Sequence, residues 1–472
     1  MRSAKCEPVR ALVCEACFAE ILAKQALQLK SHAGSLLHCL DRPFIMSLGR
    51  TEVFRTGSGL ASAQPELWVA SWEDRLRDCP LVLALPELAE SLLGEKLRSL
   101  YGNGGGVPFD PVSLFCVWLY GYLEGERSSR RLERLCKYDI RYEYLSRSCN
   151  PDYSTLCRFR KRLSSILDSL FLEVVEACSE VGLVSCKTVA IDGTKIMARK
   201  TQWRKALDES ERSDEFESEA KTMLTTHGEY LIGYNVQAVA DTENSIVVGY
   251  VATNTVNDQK QLPVVLNATK RLSGMHPETA VMDKGYDSGD NATSAAQNGV
   301  TAIIPPIKRG KRPFSKDEHG VLRCLAGHEP TRSTWIGREQ VYDHFRVSKC
   351  ANCELREPCG ATRKQRAMKV KVGTDVKDKA DANALAQTTE GQELLRLRGP
   401  TIERRFAFLK REQGLRRFLL TGLAGAELES GLAFIAQNMK TLMRAILSFI
   451  FAIFKQMNAQ KPKTNHACPC KI

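Results

Sequence analysis

The chain has 472 residues, 43% hydrophobic and 26% charged, so it can bury a sizeable core, and disorder throughout is excluded. Lys and Arg number 67 against 55 Asp and Glu, a formal +12, which favours a polyanionic partner without naming one. Membrane insertion and export are not expected. The apolar run AILSFIFAIF at 445–454 is about half the roughly 20 residues that span a bilayer. Glu15, Glu20 and Lys24 interrupt the apolar stretches of the first thirty residues, and seventeen cysteines without an export signal fit reduced thiols in cytoplasm.

Residues 1–69 read as an irregular extension with a Gly/Ser/Ala-rich stretch, TGSGLASAQ, and Met46 as an alternative start. The CEAC at 14–17 is half a zinc site without a second pair, so its expected role is structural or incidental. Residues 70–182 read as helical. After the breaker run GNGGGVPFDP, residues 112–123 form an apolar helix, and Ser128 and Ser129 are placed to cap a next helix, RRLERLCKYDIRYEYL. Pro151, Asp152 and Ser154 then open PDYSTLCRFRKRLSSIL. Residues 127–162 hold eleven Lys and Arg against four Asp and Glu. Short helices with basic residues on the last one resemble a helix-turn-helix DNA reader, and an ordinary helical bundle explains the pattern equally well. On the first reading, Arg130, Arg131, Arg158, Arg160 and Lys161 are DNA contacts.

Residues 183–306 change period. KTVAID ends in Asp192, the alternating Tyr230, Ile232, Tyr234, Val236, Ala238 and Ala240 mark a half-buried strand, and the turn DTENS leads into a second strand, IVVGYVATN. Past Asp258 come a helix (QLPVVLNATKRL), the strand TAVMD ending in Asp283, another helix and the short strand TAIIPP. The order predicts a mixed α/β sheet with both aspartates at strand C-terminal ends. The charged loop 199–221 reads as solvated surface.

Residues 307–375 form a cysteine-rich insertion. Cys324, Cys350, Cys353 and Cys359 offer four thiols for tetrahedral zinc, with His328 able to replace one. A reduced loop packed without metal is the competing reading. Residues 376–444 return to helix, and residues 396–417 carry eight Lys and Arg against two acids. Gly399 and Pro400 mark a helix start, which places Glu403 in the first turn and Lys410 two turns on along the same face. Ile402, Phe406 and Leu409 form the docking stripe. Residues 445–472 are a tail, its apolar part read as a buried helix. Two strand-end aspartates with a distant helical glutamate are what two-metal phosphodiester chemistry needs, because hard divalent cations bind oxygen and a pair of them can hold the attacking and leaving oxygens.

These residues resemble the bacterial insertion-sequence transposases of the DDE type that have a helical N-terminal domain and a cysteine-rich insert. The matching pieces run from LYGYLEGERSSRRLERLCKYDIRYEYL and PDYSTLCRFRKR through AIDGTKI, GYNVQAVAD, TNTVNDQKQL and VMDKGYDS to IERRFAFLKREQGLRRFLLTGL and AQNMKTL. The resemblance implies an RNase H-like core whose Asp192, Asp283 and Glu403 bind two Mg²⁺ ions, with Mn²⁺ as a substitute. It further implies cleavage at the element's ends and transfer of the freed 3′-hydroxyls to target DNA. Similar transposases carry a Tyr-Arg-Glu-Lys signature on the last helix. Glu403 and Lys410 match its second half, whereas Arg396 stands at the tyrosine position and Gly399 at the arginine position, leaving Arg398 the nearest arginine. Lys410, Arg398, Arg404 and Arg405 are the implied DNA contacts here. Double-stranded DNA as partner, a homo-oligomer in the paired-end complex and a cytoplasmic, nucleoid-associated location follow by the same analogy. A catalytically decayed, zinc-stapled DNA-binding regulator is the alternative.

Overall fold

The computed structural model describes residues 71–459 except 103–106, 200–218, 226–227, 308–313, 317–320, 325, 337–338, 347–352, 356–366 and 372–373. The CEAC segment, the alternative start Met46, most of the charged loop 199–221, Cys350, Cys359 and residues 460–472 lie outside the described residues. Two compact units emerge. One comprises residues 1–185, 412–414 and 431–472, the other residues 186–411 and 415–430.

The described part of the first unit is helical. Its helices are α1 (Trp72–Arg75), α2 (Pro80–Arg98), α3 (Pro111–Leu123), α4 (Ser129–Tyr138), α5 (Ile140–Leu145), α6 (Tyr153–Arg162) and α7 (Leu167–Glu180). Helix α3 is the axis, with every residue buried, because its sequence is apolar all round and its start is capped by Asp110 accepting from the Val112 and Ser113 amides. Helices α2, α4, α5 and α6 pack on it. The segment expected as one helix after Ser128 breaks at Asp139. That residue is extended (φ −116°, ψ 119°) and its side chain accepts from Arg141 N at 2.9 Å, ending α4 and starting α5.

The second unit is a mixed α/β fold. Strand β1 (Thr188–Met197) is central; β2 (Lys221–Leu224), β3 (Tyr230–Asp241) and β4 (Val247–Thr253) follow it. Next come α8 (Leu262–Ser273), β5 (Thr279–Val281), α9 (Gly289–Gln297) and β6 (Thr301–Ile303). Strand β1 pairs antiparallel with β3 and parallel with β5; β5 pairs parallel with β6, and β3 also pairs with β2 and β4. The expected strand, hairpin, helix, strand, helix, strand order is found with one addition, β2, which lies between the first strand and the hairpin in the chain and pairs with β3. Helix α8 lies on β4, where a side chain at Gly249 would collide with the Thr269 backbone, and it ends at Gly274 with φ +65°.

The insertion holds two small sheets. A two-stranded one joins β7 (Phe314–Lys316) to β8 (Leu322–Cys324), and a three-stranded one runs β11 (Ala367–Lys371), β10 (Glu339–Arg346), β9 (Arg332–Ile336). Helices α10 (Thr374–Leu385), α11 (Thr389–Arg396) and α12 (Arg404–Arg411) belong to the same unit, with Leu394 and Leu395 of α11 packed on Val281 and Ile303 of the sheet. Helix α13 (Gly422–Ala459) follows. Its apolar end is helical as expected but not buried: Phe451 is 65% exposed. Among the described residues no helix is long and apolar enough to cross a membrane.

Candidate active site

Asp192 lies in the middle of β1 and not at its end, because β1 continues to Met197 against β3. On the other edge the pairing with β5 stops at Ala190 opposite Val281. Asp192 and Asp283 each lie two residues past that last pair, and the Asp283 charge is among those that raise the Asp192 carboxyl, so the two acids stand within electrostatic reach of each other. Asp192 Oδ1 accepts from Gly193 N at 2.8 Å. Asp283 leaves the sheet and caps a short 3₁₀ turn, its Oδ1 accepting from Gly285 N at 2.7 Å. The two acids therefore have different backbones behind them but share a neighbourhood.

Glu403 arrives from a different start than expected. The chain is already helical through α11, and residues Gly399–Glu403 form a π-helical turn that runs into α12. Such turns widen a helix and are frequent at functional sites. Ile402, Phe406 and Leu409 are buried as the stripe predicted, whereas the Glu403 side chain is 55% exposed. Arg398 connects the acids. Its Nη2 donates to Asp192 Oδ2 at 3.0 Å and its Nη1 stands 3.9 Å from Glu403 Oε1.

Burial pushes the Asp192 carboxyl up to about 7; Arg398 opposes this, and the neighbouring Asp283 and Asp258 add to it. Lys410 is lowered by burial, while Asp192 pulls it the other way, so the lysine predicted to share the Glu403 face does sense the site. Among the described residues no three His, Cys, Asp or Glu side chains are grouped so as to hold a metal ion. Carboxylate oxygens are nonetheless the donors that a hard divalent cation takes, and Asp192 is the buried one of the three candidate acids.

Asp258 is the residue that sequence reasoning passed over. Its Oδ1 accepts from Asn235 Nδ2 at 2.9 Å and from Gln237 Nε2 at 2.6 Å, and Tyr286, in the turn after Asp283, donates its hydroxyl to Gln237 Oε1. The strand read as half-buried is buried almost along its length, and Asn235 and Gln237 are 1% and 0% exposed. Two buried amides in an otherwise apolar strand were the available signal.

The basic candidates separate by environment. Arg130, Arg131, Arg158, Lys161 and Arg404 are exposed. Arg160 is not a surface contact: it is 5% exposed, with its guanidinium 4.4 Å from the Trp118 ring centroid and Nη1 donating to Arg127 O at 3.2 Å. Arg398 is held at Asp192 with its side chain 13% exposed, and Arg405 donates to Ser245 O at 2.6 Å, bracing the β3–β4 turn. In the insertion, Cys324 N donates to His328 O at 3.0 Å, folding those two residues into one turn, and Cys324 and Cys353 are free thiols.

Two family models match the chain. The one described as Transposase DDE domain covers residues 187–439, and the one described as Transposase domain (DUF772) covers residues 72–162. Among curated proteins none matches significantly. The first match spans the sheet, both aspartates, the insertion and Glu403, and it brings with it the use of divalent metal ions and DNA that this family's chemistry implies. With more than half of its length in that match, this chain belongs to the DDE transposase family, and it is a transposase, a polynucleotidyl transferase.

Proposed function

We propose that this transposase cuts double-stranded DNA at the ends of its own insertion sequence and joins the freed 3′-hydroxyls to target DNA, using Asp192, Asp283 and Glu403 to hold two Mg²⁺ ions. The observation that supports this reading is the electrostatic reach of Asp283 to Asp192, together with Arg398, which donates to Asp192 and stands 3.9 Å from Glu403. Bound divalent cations supply Lewis acidity and charge neutralisation at the scissile phosphate; Mn²⁺ serves in place of Mg²⁺.

The chain's own residues do the rest. The Gly193 amide holds Asp192 Oδ1 and the Gly285 amide holds Asp283 Oδ1, which orients both carboxylates, and Asp192 offers Oδ2 once Arg398 has moved away. Glu403, exposed on the π-helical turn, is the partner that would complete the set. Arg398 leaves Asp192 for a DNA phosphate when the cations arrive, and Lys410 holds the strand end from the next turns of the helix. Arg404 on the catalytic helix, and Arg130, Arg131, Arg158 and Lys161 on the helical unit, contact phosphates. Residues 70–182 act as the DNA-binding domain. Cys324, Cys350, Cys353 and Cys359 bind one Zn²⁺ that staples the insertion. The working form is a homo-oligomer that pairs two ends, in the cytoplasm at the nucleoid.

The test is Mg²⁺-dependent nicking of a duplex bearing the element's own end. The reading expects nicks with a free 3′-hydroxyl in Mg²⁺ and none in EDTA. A gel shift without any cut, in Mg²⁺ or Mn²⁺, overturns it.

A further inference from the structure

We propose that Asp287 is a positioning residue for Asp283, the point at which the two ends of the insertion grip the turn that begins at that acid. Asp283 opens a single 3₁₀ turn, Lys284–Tyr286, and Asp287 closes it. The turn's own bonds are few. Tyr286 N donates to Asp283 O at 3.2 Å, Asp287 N to Lys284 O at 3.1 Å, and Gly285 N to Asp283 Oδ1 at 2.7 Å. One turn of this kind does not repay the ordering of its own backbone, so what holds its ends sets its geometry. At the near end Met282 N donates to Ile303 O at 3.1 Å, which ties the residue before Asp283 to β6.

The far end is held through Asp287, which is 6% exposed and has every oxygen engaged. Lys379 Nζ stands 2.8 Å from Oδ1 and donates to the backbone oxygen at 2.8 Å, Asn383 Nδ2 donates to Oδ1 at 3.1 Å, and Ile307 N donates to Oδ2 at 2.9 Å. Asn291 Nδ2 adds a bond to the neighbouring Tyr286 O at 2.9 Å. Lys379 and Asn383 are one turn apart on a single face of α10, and Asn383 also donates to Ile304 O at 3.2 Å, just past β6. The chain between Ile307 and α10 carries β7 to β11. Its entry and its exit therefore close on one buried carboxylate, a single short turn from Asp283. A charge-assisted bond with two further donors fixes that carboxylate in place and in angle. Loss of one donor frees the end of the turn, and a catalytic carboxylate displaced by about 1 Å costs on the order of a hundredfold in rate.

This inference rests on the reading that Asp283 is a catalytic acid, and the experiment separates the two. The full chain is compared as wild type, Lys379→Met, Asn383→Ala and Asp283→Asn. Lys379→Met removes the charged donor at similar length; Asn383→Ala removes a neutral one and leaves no buried charge unpaired, so it decides the matter if Lys379→Met does not fold. Amide hydrogen exchange is followed in EDTA for the peptide spanning residues 283–288, with a β3 peptide as the measure of the whole unit's stability, beside end binding and Mg²⁺-dependent cleavage. In both α10 variants the expected result is exchange faster by about tenfold or more at 283–288 and unchanged in β3. Cleavage falls by about tenfold to a hundredfold while end binding stays within a few-fold of wild type. Unchanged exchange at the turn, an equal rise in β3, end binding lost in step with cleavage, or wild-type cleavage from a loosened turn overturns the positioning role alone when Asp283→Asn is inactive. Wild-type cleavage by Asp283→Asn overturns the reading beneath it, and the inference with it.

Discussion

Arg398 and Asp192, 206 positions apart in the chain, form an ion pair of 3.0 Å with side chains only 13% and 19% exposed. The chain's own cation therefore stands at the central acid of the site, 3.9 Å from Glu403 as well. Replacing it has two opposite consequences. Arg398→Gln leaves a buried carboxylate without its partner and costs the metal-free protein about 3 kcal/mol. It also removes a positive charge that repels the incoming metal, so at pH 8 Mn²⁺ binds several-fold more tightly. Urea unfolding in EDTA and Mn²⁺ titration read the two effects; unchanged stability together with weaker metal binding contradicts the counter-ion role.

The Asp192 carboxyl, pushed up to about 7 mainly by burial, makes stability depend on pH in a defined direction. An acid raised in the fold favours its protonated form, so its contribution is fully present below the usual aspartate range and is lost as pH rises through about 7. In EDTA, wild type therefore loses stability relative to Asp192→Asn between about pH 4 and 7, by at most ~1.4 kcal/mol per pH unit, and the difference levels off above that. Urea unfolding of both proteins across that window checks it. Parallel profiles mean that Asp192 ionises as an ordinary surface aspartate.

Arg160 and its neighbours on α6 behave differently although the sequence presents them as one basic cluster. Arg160→Ala removes a buried contact with the Trp118 ring and a hydrogen bond to Arg127 O, at a cost of about 2 kcal/mol to the helical unit. Arg158→Ala and Lys161→Ala, on the exposed side, shift stability by less than about 0.5 kcal/mol and lower the salt dependence of DNA binding by roughly one counterion each. Thermal unfolding and salt-titrated binding separate them. A stable Arg160→Ala protein that binds DNA poorly reverses the assignment.

The sheet and its two candidate aspartates were legible because apolar runs that stop at a lone acid leave a clear trace, as in KTVAID and TAVMD. Where β1 really stops was not legible: TKIM has no strand signature of its own and is strand because β3 pairs with it through Gly233 opposite Met197. The break of one helix into α4 and α5 depended on Asp139 choosing its own backbone cap over continued helix, a choice close in energy from sequence alone. Asp258 was hidden for another reason. Nothing local to NTVNDQKQ marks a site, and its place is fixed by amides on β3 more than twenty residues earlier. Likewise Arg398 was read for a DNA role by its spacing to Glu403, and only the fold pairs it with Asp192.

Gly193 is a position where size alone decides. In Gly193→Ala the added carbon lies below normal contact distance from oxygens of Asp258 and Asn235, so the β1–β3 face must shift. The expected outcome is a folded protein, destabilised by about 1–3 kcal/mol, that binds end DNA and no longer cleaves it. Wild-type cleavage by this variant shows that the close approach of Asp258 to β1 has no part in activity.

The most direct test of the central claim replaces one acid at a time without changing its size. Asp192→Asn, Asp283→Asn and Glu403→Gln are each assayed for end binding and for Mg²⁺-dependent strand cleavage on the same labelled duplex. The account predicts that all three bind the end within a few-fold of wild type and that none cuts above background. Cleavage at the wild-type rate by any one of them contradicts the assignment of that residue, and cleavage by all three contradicts the site.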